Sequence, residues 1–107
     1  DVFRGQSAAT DGPALVAQVL ERSNAYADSG ASGLFVPFLS DPACISEICE
    51  KSPLSVNILR SPDGPSHAEL AGMGVARISH GHQPWAAAMQ WLEDQARQIF
   101  DGGEPDY

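Results

Sequence analysis

The chain has few basic residues and no long apolar run. Six Lys and Arg stand against fourteen Asp and Glu in 107 residues, which gives a net charge of -8 at pH 7. This balance weighs against a phosphate-neutralising surface, so we predict no nucleic-acid partner. No apolar stretch approaches the roughly 20 residues that span a bilayer. We therefore predict no membrane partner either.

Cysteines are also scarce. Cys44 and Cys49 lie five positions apart in one predicted helix, which places them on different faces of it. We therefore expect no disulfide between them, and no nearby segment supplies further zinc ligands. We favour the interpretation that both cysteines are small apolar residues packed near the core of a protein in a reducing compartment. This interpretation predicts a cytoplasmic location.

Two further signals are missing. The chain has no glycine-rich phosphate loop, which argues against an independent flavodoxin-like binding domain. It does not begin with Met and shows no charged segment followed by an apolar leader. The start at Asp1 is typical of a strand that ends in a loop, so we expect further sequence before it.

Three short apolar segments, each followed by a helix with cap signals, form the strongest pattern in the sequence. The segments are residues 33–37, 54–59 and 75–79, and cap and stop residues predict helices over 11–30, 41–52, 66–72 and 84–100. Strands that alternate with helices predict an α/β fold with a parallel sheet. Such sheets bind ligands at the carboxyl ends of their strands, where we place Pro37, Asn57 and Ser79.

The last predicted helix, residues 84–100, carries a broad apolar band. Its members are Trp85, Ala88, Met89, Leu92, Ala96, Ile99 and Phe100. The band is too large for a helix that covers one strand. Ordinary core packing is one explanation, and contact with another subunit is the other. The polar tail at 101–107 is predicted to be frayed.

Four motifs in order resemble the isocitrate lyase and phosphoenolpyruvate mutase superfamily. They are AYADSGASGLFVP at 25–37, PLSVNIL at 53–59, GPSHAELA at 64–71 and GVARIS at 74–79. The resemblance covers nearly the whole chain. It implies that residues 1–107 are the C-terminal part of a (β/α)8 TIM barrel, from the end of the fifth strand to the eighth helix, with about three parallel strands and four helices.

The resemblance also implies a reaction class. Members are Mg²⁺-dependent enzymes that break or rearrange a C–C or C–P bond of a small 2-oxo acid or phosphonate through a pyruvate enolate. The Mg²⁺ ligands and the gating loop are expected in the barrel's first half, which this chain does not match. Lyase members carry a Glu near the position of Pro37, so its absence favours the mutase, phosphonopyruvate hydrolase and oxaloacetate decarboxylase side of the superfamily.

One candidate site residue follows from the same resemblance, and three follow from their positions near strand ends. Asn57 matches a family Asn that binds the substrate carboxylate, and an Asx turn is the alternative. Ser79 is the second substrate-binding candidate because it ends a strand. Arg60 and His80 are secondary candidates, for which a surface arginine and an exposed loop histidine are the alternatives.

As possible metal ligands or titrating groups, the three histidines carry weaker signals. His80 and His82 could bind a metal or titrate, whereas His67 is predicted to face solvent.

The chain's own activity and assembly are predictions of the same kind. We expect the isolated chain to be inactive and the protein to be a homo-oligomer through residues 84–100, because the family's eighth helix often swaps onto a neighbouring barrel. The alternative is a non-catalytic half-barrel that acts as a scaffold or a self-assembling module.

Overall fold

The computed structural model describes residues 2–107, which form four helices and three strands. In chain order these are α1 (Ala8–Asp28), β1 (Gly33–Val36), α2 (Pro42–Lys51), β2 (Ser55–Leu59), α3 (His67–Gly72), β3 (Arg77–Ser79) and α4 (Gln83–Phe100). The strands form one parallel sheet in the order β1-β2-β3. The predicted alternation of strand and helix is confirmed.

Two helix starts form as their cap residues predict. The Asp41 carboxylate accepts a hydrogen bond from the backbone N–H of Cys44 at 2.8 Å, at the start of α2. At the start of α3, Ser66 and Glu69 form a reciprocal capping box: the N–H of Glu69 donates to the Ser66 hydroxyl, and the N–H of Ser66 donates to the Glu69 carboxylate. Both caps satisfy N–H groups that a helix leaves without partners.

The first helix begins three residues earlier than the predicted cap at Asp11. The carbonyl of Ser7 accepts the N–H of Asp11 at 3.0 Å, so the first turn forms ahead of Pro13, which lies inside the helix. Asp11 is then in the first turn, where a negative charge is favourable. The predicted end is correct: Gly30, at φ 87°, closes α1 with backbone bonds from Gly30 and Ala31 to Ala27 and Tyr26.

The core lies on one side of the sheet. Leu34, Val36, Val56 and Ile58 are buried and pack with the apolar faces of the helices. The principal helix residues in this core are Leu15, Val16, Val19, Ile45, Ile48 and Leu70. Phe35 between them is 49% exposed. The second face of the sheet is therefore not covered by any part of residues 2–107.

Helix α4 extends away from this two-layer unit. The radius of gyration is 18.2 Å and the long axis is 59 Å, whereas a compact domain of this length has a radius of about 13 Å. Trp85 is 65% exposed and Phe100 is 89% exposed. Among residues 2–107, no helix is both long enough and apolar enough to cross a membrane.

The tail folds back on α4, which corrects the prediction that it is frayed. Gly102, at φ 80°, reverses the chain after the helix. The buried side chain of Gln95 then forms two hydrogen bonds with Asp106: its amide group donates to the carboxylate at 3.0 Å, and its oxygen accepts the backbone N–H at 2.6 Å. The rings of Trp91 and Tyr107 lie 6.0 Å apart. The tail thus covers one side of α4 and leaves most of its apolar band uncovered.

Candidate functional site

The uncovered face of the sheet, which we call the inner face, carries the first candidate residue. Asn57 on β2 is in register with Phe35 on β1 and with Arg77 on β3. Side chains in register on parallel strands point to the same side of the sheet, so these three line one layer. They border an open depression of about 380 Å³.

Asn57 lies deeper than predicted. It is the third of the five residues of β2, and Ser79 is in register with Leu59 rather than with Asn57. The strand pairing continues past Asn57, since the N–H of Arg60 still donates to the carbonyl of Ser79 at 2.8 Å. Ser79 is the last residue of β3, as predicted, whereas the expectation that Asn57 lies at a strand end is wrong. Asn57 is one layer below the sheet's carboxyl edge.

The Asn57 side chain is not used by a turn. Its Oδ1 is buried and has no hydrogen-bond partner among residues 2–107, whereas an Asx turn requires that oxygen to accept a backbone N–H. The alternative interpretation as an Asx turn is excluded. A buried acceptor without a partner costs about 1–3 kcal/mol of folding free energy. A ligand or a further segment of protein that donates a hydrogen bond to this oxygen can offset that cost.

Arg77 was missed as a candidate. It is exposed on the inner face next to Asn57, and neither of the two ion pairs found among residues 2–107 includes it. Strand alternation around the half-buried Ile78 was the signal that could have identified it. A guanidinium and an amide on adjacent strands are suited to binding a carboxylate or phosphonate.

The carboxyl edge of the sheet brings two of the predicted residues together. The hydroxyl oxygen of Ser79 accepts the N–H of Gly81 at 3.3 Å, and the Gln83 side-chain amide donates to the carbonyl of Arg60 at 2.6 Å. These bonds, with the backbone bond between Arg60 and Ser79, attach the start of α4 to the ends of β2 and β3. The Ser79 hydroxyl hydrogen is still available as a donor.

His80 contacts His67, which was predicted only to face solvent. Its Nε2 lies 3.3 Å from Nε2 of His67, and both rings are exposed. The sequence pattern had grouped His80 with His82, which lies two positions away. The structure instead joins the end of β3 to the start of α3 through this pair.

The residue after Pro37 has an unusual backbone. Phe38 has φ 66°, the one positive value found among the non-glycine residues of 2–107. Its ring is 53% exposed and lies 5.8 Å from the guanidinium carbon of Arg4. A bulky residue in this region is strained by about 1–3 kcal/mol, and such strain is concentrated at functional sites. Phe38 therefore belongs to the candidate site, at the edge where β1 ends.

The described residues do not form a magnesium site. Residues 2–107 contain no group of three or more His, Cys, Asp or Glu side chains that could hold a metal ion. Cys44 is also unsuitable as a ligand or nucleophile, because burial and then the nearby Asp41 carboxylate raise its thiol pKa to about 11. What this chain offers is a set of anion-binding donors.

Comparison with known proteins gives a consistent result. The phosphoenolpyruvate phosphomutase family matches residues 1–100. An uncharacterised protein of Mycobacterium tuberculosis is 39% identical over 83 residues, which are 78% of this chain and 32% of that protein. The chain thus spans about a third of the length of the curated relatives it matches.

Solved structures are also similar to this chain, in sequence and in fold. A protein of Burkholderia cenocepacia J2315 assigned as a phosphonomutase is 46% identical, with a TM-score of 0.85 over 92% of this chain and 39% of its own. A second protein of that organism, assigned as a lyase/mutase, is 29% identical with a TM-score of 0.70, over 78% of this chain and 31% of its own.

A more distant structure shares the fold alone. The phosphoenolpyruvate phosphomutase of Streptomyces platensis subsp. rosaceus is 20% identical with a TM-score of 0.71, over 83% of this chain and 32% of its own. Because this chain matches only part of each neighbour, its three strands and four helices are a portion of a (β/α)8 barrel, as the resemblance implied.

Proposed function

The chain belongs to the phosphoenolpyruvate mutase family, and on that premise we propose that it is part of a Mg²⁺-dependent lyase or mutase. The proposed substrate is a small 2-oxo acid or its phosphonate relative. The reaction breaks or rearranges a C–C or C–P bond and passes through a pyruvate enolate. Residues 1–107 supply part of the substrate-binding surface, and the remaining barrel strands supply the rest.

The observation that carries this proposal is the buried, unpartnered Oδ1 of Asn57 beside Arg77 on the inner face. In a closed barrel this face is the interior. There the Asn57 amide N–H groups would donate to a carboxylate oxygen of the substrate, and the Arg77 guanidinium would balance its charge. A donor from the rest of the barrel would satisfy the Asn57 oxygen.

These residues would contribute to the chemistry by binding and orientation. When the bond from carbon 3 to the departing carbon or phosphorus breaks, its electron pair passes to the 2-oxo oxygen as an enolate, and fixed donors in a site without water stabilise that charge. The donor set of residues 2–107 does not fit Mg²⁺, so the metal ligands are expected from the rest of the barrel. The inner face must be covered before water is excluded, and we therefore expect the isolated chain to be inactive.

A chimera tests the proposal. The remaining barrel segments of the 46% identical Burkholderia protein are joined to residues 1–107, and turnover of oxaloacetate and phosphonopyruvate is measured with Mg²⁺. We expect turnover above a metal-only control, and a loss of about 100-fold in kcat/KM on Asn57→Leu. Asn24→Leu, the same substitution at an exposed position of α1 away from the inner face, is the matched control and should change little. A folded chimera in which Asn57→Leu retains full activity would contradict the assigned role.

Helix α4 supports a second part of the proposal, association with another copy. Its uncovered band includes Trp85, Leu92 at 53% exposure and Ile99 at 48%. An apolar surface of this kind on a projecting helix is typical of an interface, and a neighbouring barrel of the same protein is the occupant we propose. Light scattering coupled to gel filtration should report an oligomer that Leu92→Glu dissociates and that Gln90→Glu leaves intact. A monomeric chain would contradict it.

The alternative is a non-catalytic half-barrel that serves as a scaffold or self-assembles. The uncovered inner face and the open edges of β1 and β3 favour it, because unpaired sheet edges promote association. Oligomers of the chain together with a folded but inactive chimera would support this alternative. Either function is compatible with the cytoplasmic location predicted from the cysteines.

A further inference from the structure

The contact between His67 and His80 lies at the long end of hydrogen-bond distances. The two Nε2 atoms lie 3.3 Å apart, the ring centres are 5.2 Å apart, and the ring planes are tilted by 47°. Hydrogen bonds from N–H to oxygen are usually about 2.7–3.2 Å long. The two Nε2 atoms are slightly farther apart, at a distance that a hydrogen bond between two imidazoles can also have.

The same distances agree with two imidazoles bound to one tetrahedral metal ion. With metal–nitrogen bonds of about 2.0–2.1 Å and tetrahedral angles, the two ligating nitrogens are about 3.3–3.4 Å apart. If each bond is extended to the centre of its ring, the centres are about 5 Å apart. Both values match the pair, whereas right-angled octahedral geometry would bring the nitrogens to about 3.0 Å.

The elements around the pair hold it in place. His67 is the first residue of α3, whose start is fixed by the capping box of Ser66 and Glu69. His80 directly follows β3. There the Ser79 carbonyl accepts a hydrogen bond from the N–H of Arg60, and the Ser79 hydroxyl oxygen accepts one from the N–H of Gly81. Both imidazoles are exposed, so an ion can reach them without any rearrangement of the core.

We infer that His67 and His80 form a binding site for a divalent transition metal ion of the Zn²⁺ type. Imidazole nitrogens suit zinc, nickel and copper, whereas magnesium prefers oxygen ligands. Since residues 2–107 bring no third His, Cys, Asp or Glu into such a group, water completes the coordination and the site has open positions. It shares no residue with the Mg²⁺ ligands, which are expected from the rest of the barrel, and it requires only this chain.

Calorimetric titration of ZnCl2 into the untagged 107-residue chain, with excess MgCl2 present, tests the inference. We expect one saturable site per chain, which His67→Ala and His80→Ala each weaken at least about tenfold. The chain contains three histidines, so His82→Ala is the matched control and should leave the affinity unchanged. His80→Gln retains a side chain that can hydrogen-bond, and it should weaken the site as much as His80→Ala.

Two readouts keep the test decisive. Far-UV circular dichroism establishes that each variant is folded, which is expected because both rings are exposed. The absorption spectrum of the Co²⁺-loaded chain should show tetrahedral bands that disappear in His67→Ala. Absence of saturable Zn²⁺ binding, or equal affinity in the chain and in His67→Ala, would overturn the inference. So would loss of binding in His82→Ala, since His82 does not belong to the pair.

Discussion

Replacing Asn57 by Leu should make the isolated chain more stable. The Oδ1 atom is buried without a partner among residues 2–107, so the folded chain carries a desolvation cost that Leu, of similar size, removes. The side chain lies on the inner face between Phe35 and Arg77, where no packed core has to adjust. A polar residue that destabilises its own fold is the expected signature of a binding residue.

The magnitude follows from the cost of a buried unpaired acceptor, about 1–3 kcal/mol. Leu gains little burial on an uncovered face, so we expect Asn57→Leu to raise the free energy of unfolding by about 1–2 kcal/mol. For a chain of this size each kcal/mol shifts the melting temperature by about 4–8 °C. In a complete barrel the same substitution should weaken substrate binding, so that stability rises while turnover falls.

Urea unfolding followed by far-UV circular dichroism measures this effect. Ser55→Val is the matched control, because Ser55 lies exposed on the same strand and has no buried unpaired atom. It introduces a β-branched apolar residue and should shift the unfolding midpoint only slightly. A loss of stability in Asn57→Leu larger than that of the control would refute the reasoning, since it would mean that the amide makes a stabilising contact.

Three further predictions concern Gly81, Cys44 and Glu69, which lie outside the inner face. Gly81→Ala should cost about 1–2 kcal/mol of unfolding free energy, because φ is +55° and an added Cβ would lie 2.9 Å from Leu59. The Cys44 thiol, whose pKa rises from 9.0 to about 11, should react with a disulfide reagent about 100-fold more slowly than an unperturbed thiol. Hydrogen bonds from Ser66 lower the pKa of Glu69 below 4.5, so its stabilising effect should be present near neutral pH and disappear as the pH falls through the lowered value.

Each of these predictions has a control in the same chain. Gly102→Ala meets nothing within 4 Å at φ +80°, so the excess cost in Gly81→Ala isolates the contact with Leu59. The reaction of Cys44 should accelerate in denaturant, and a fast reaction in the folded state would contradict its burial. Ser66→Ala should reduce the acid sensitivity that Glu69 contributes, because the hydroxyl bond is lost while the backbone N–H bond remains. An unchanged pH profile in that variant would argue against the capping box.

The order of elements could be predicted from the sequence because its signals are local. Gly30 requires a left-handed conformation, Asp41 and Ser66 cap helices within three residues, and Pro53 prevents α2 from continuing. Each signal depends on neighbours in the chain. The earlier start of α1 was missed because the carbonyl of Ser7, which any residue could provide, accepts the first helical N–H.

The candidate site was less predictable because it depends on strand register. Placing Asn57 beside Arg77, and Ser79 beside Leu59, requires knowing how β2 and β3 align, and nothing in either strand alone encodes that alignment. The meeting of His67 and His80 depends on where the start of α3 lies relative to the end of β3, 13 positions apart in the chain. The depth of Asn57 was therefore predicted wrongly, although its face of the sheet follows from simple alternation.

The central claim is that the inner face of this sheet is part of a catalytic site completed by residues outside the chain. Turnover of oxaloacetate and phosphonopyruvate by the purified 107-residue chain, with Mg²⁺ and against a metal-only control, tests it most directly. We predict rates equal to the control. Turnover above the control that disappears in Asn57→Leu would contradict the claim, because it would place a complete site within these residues.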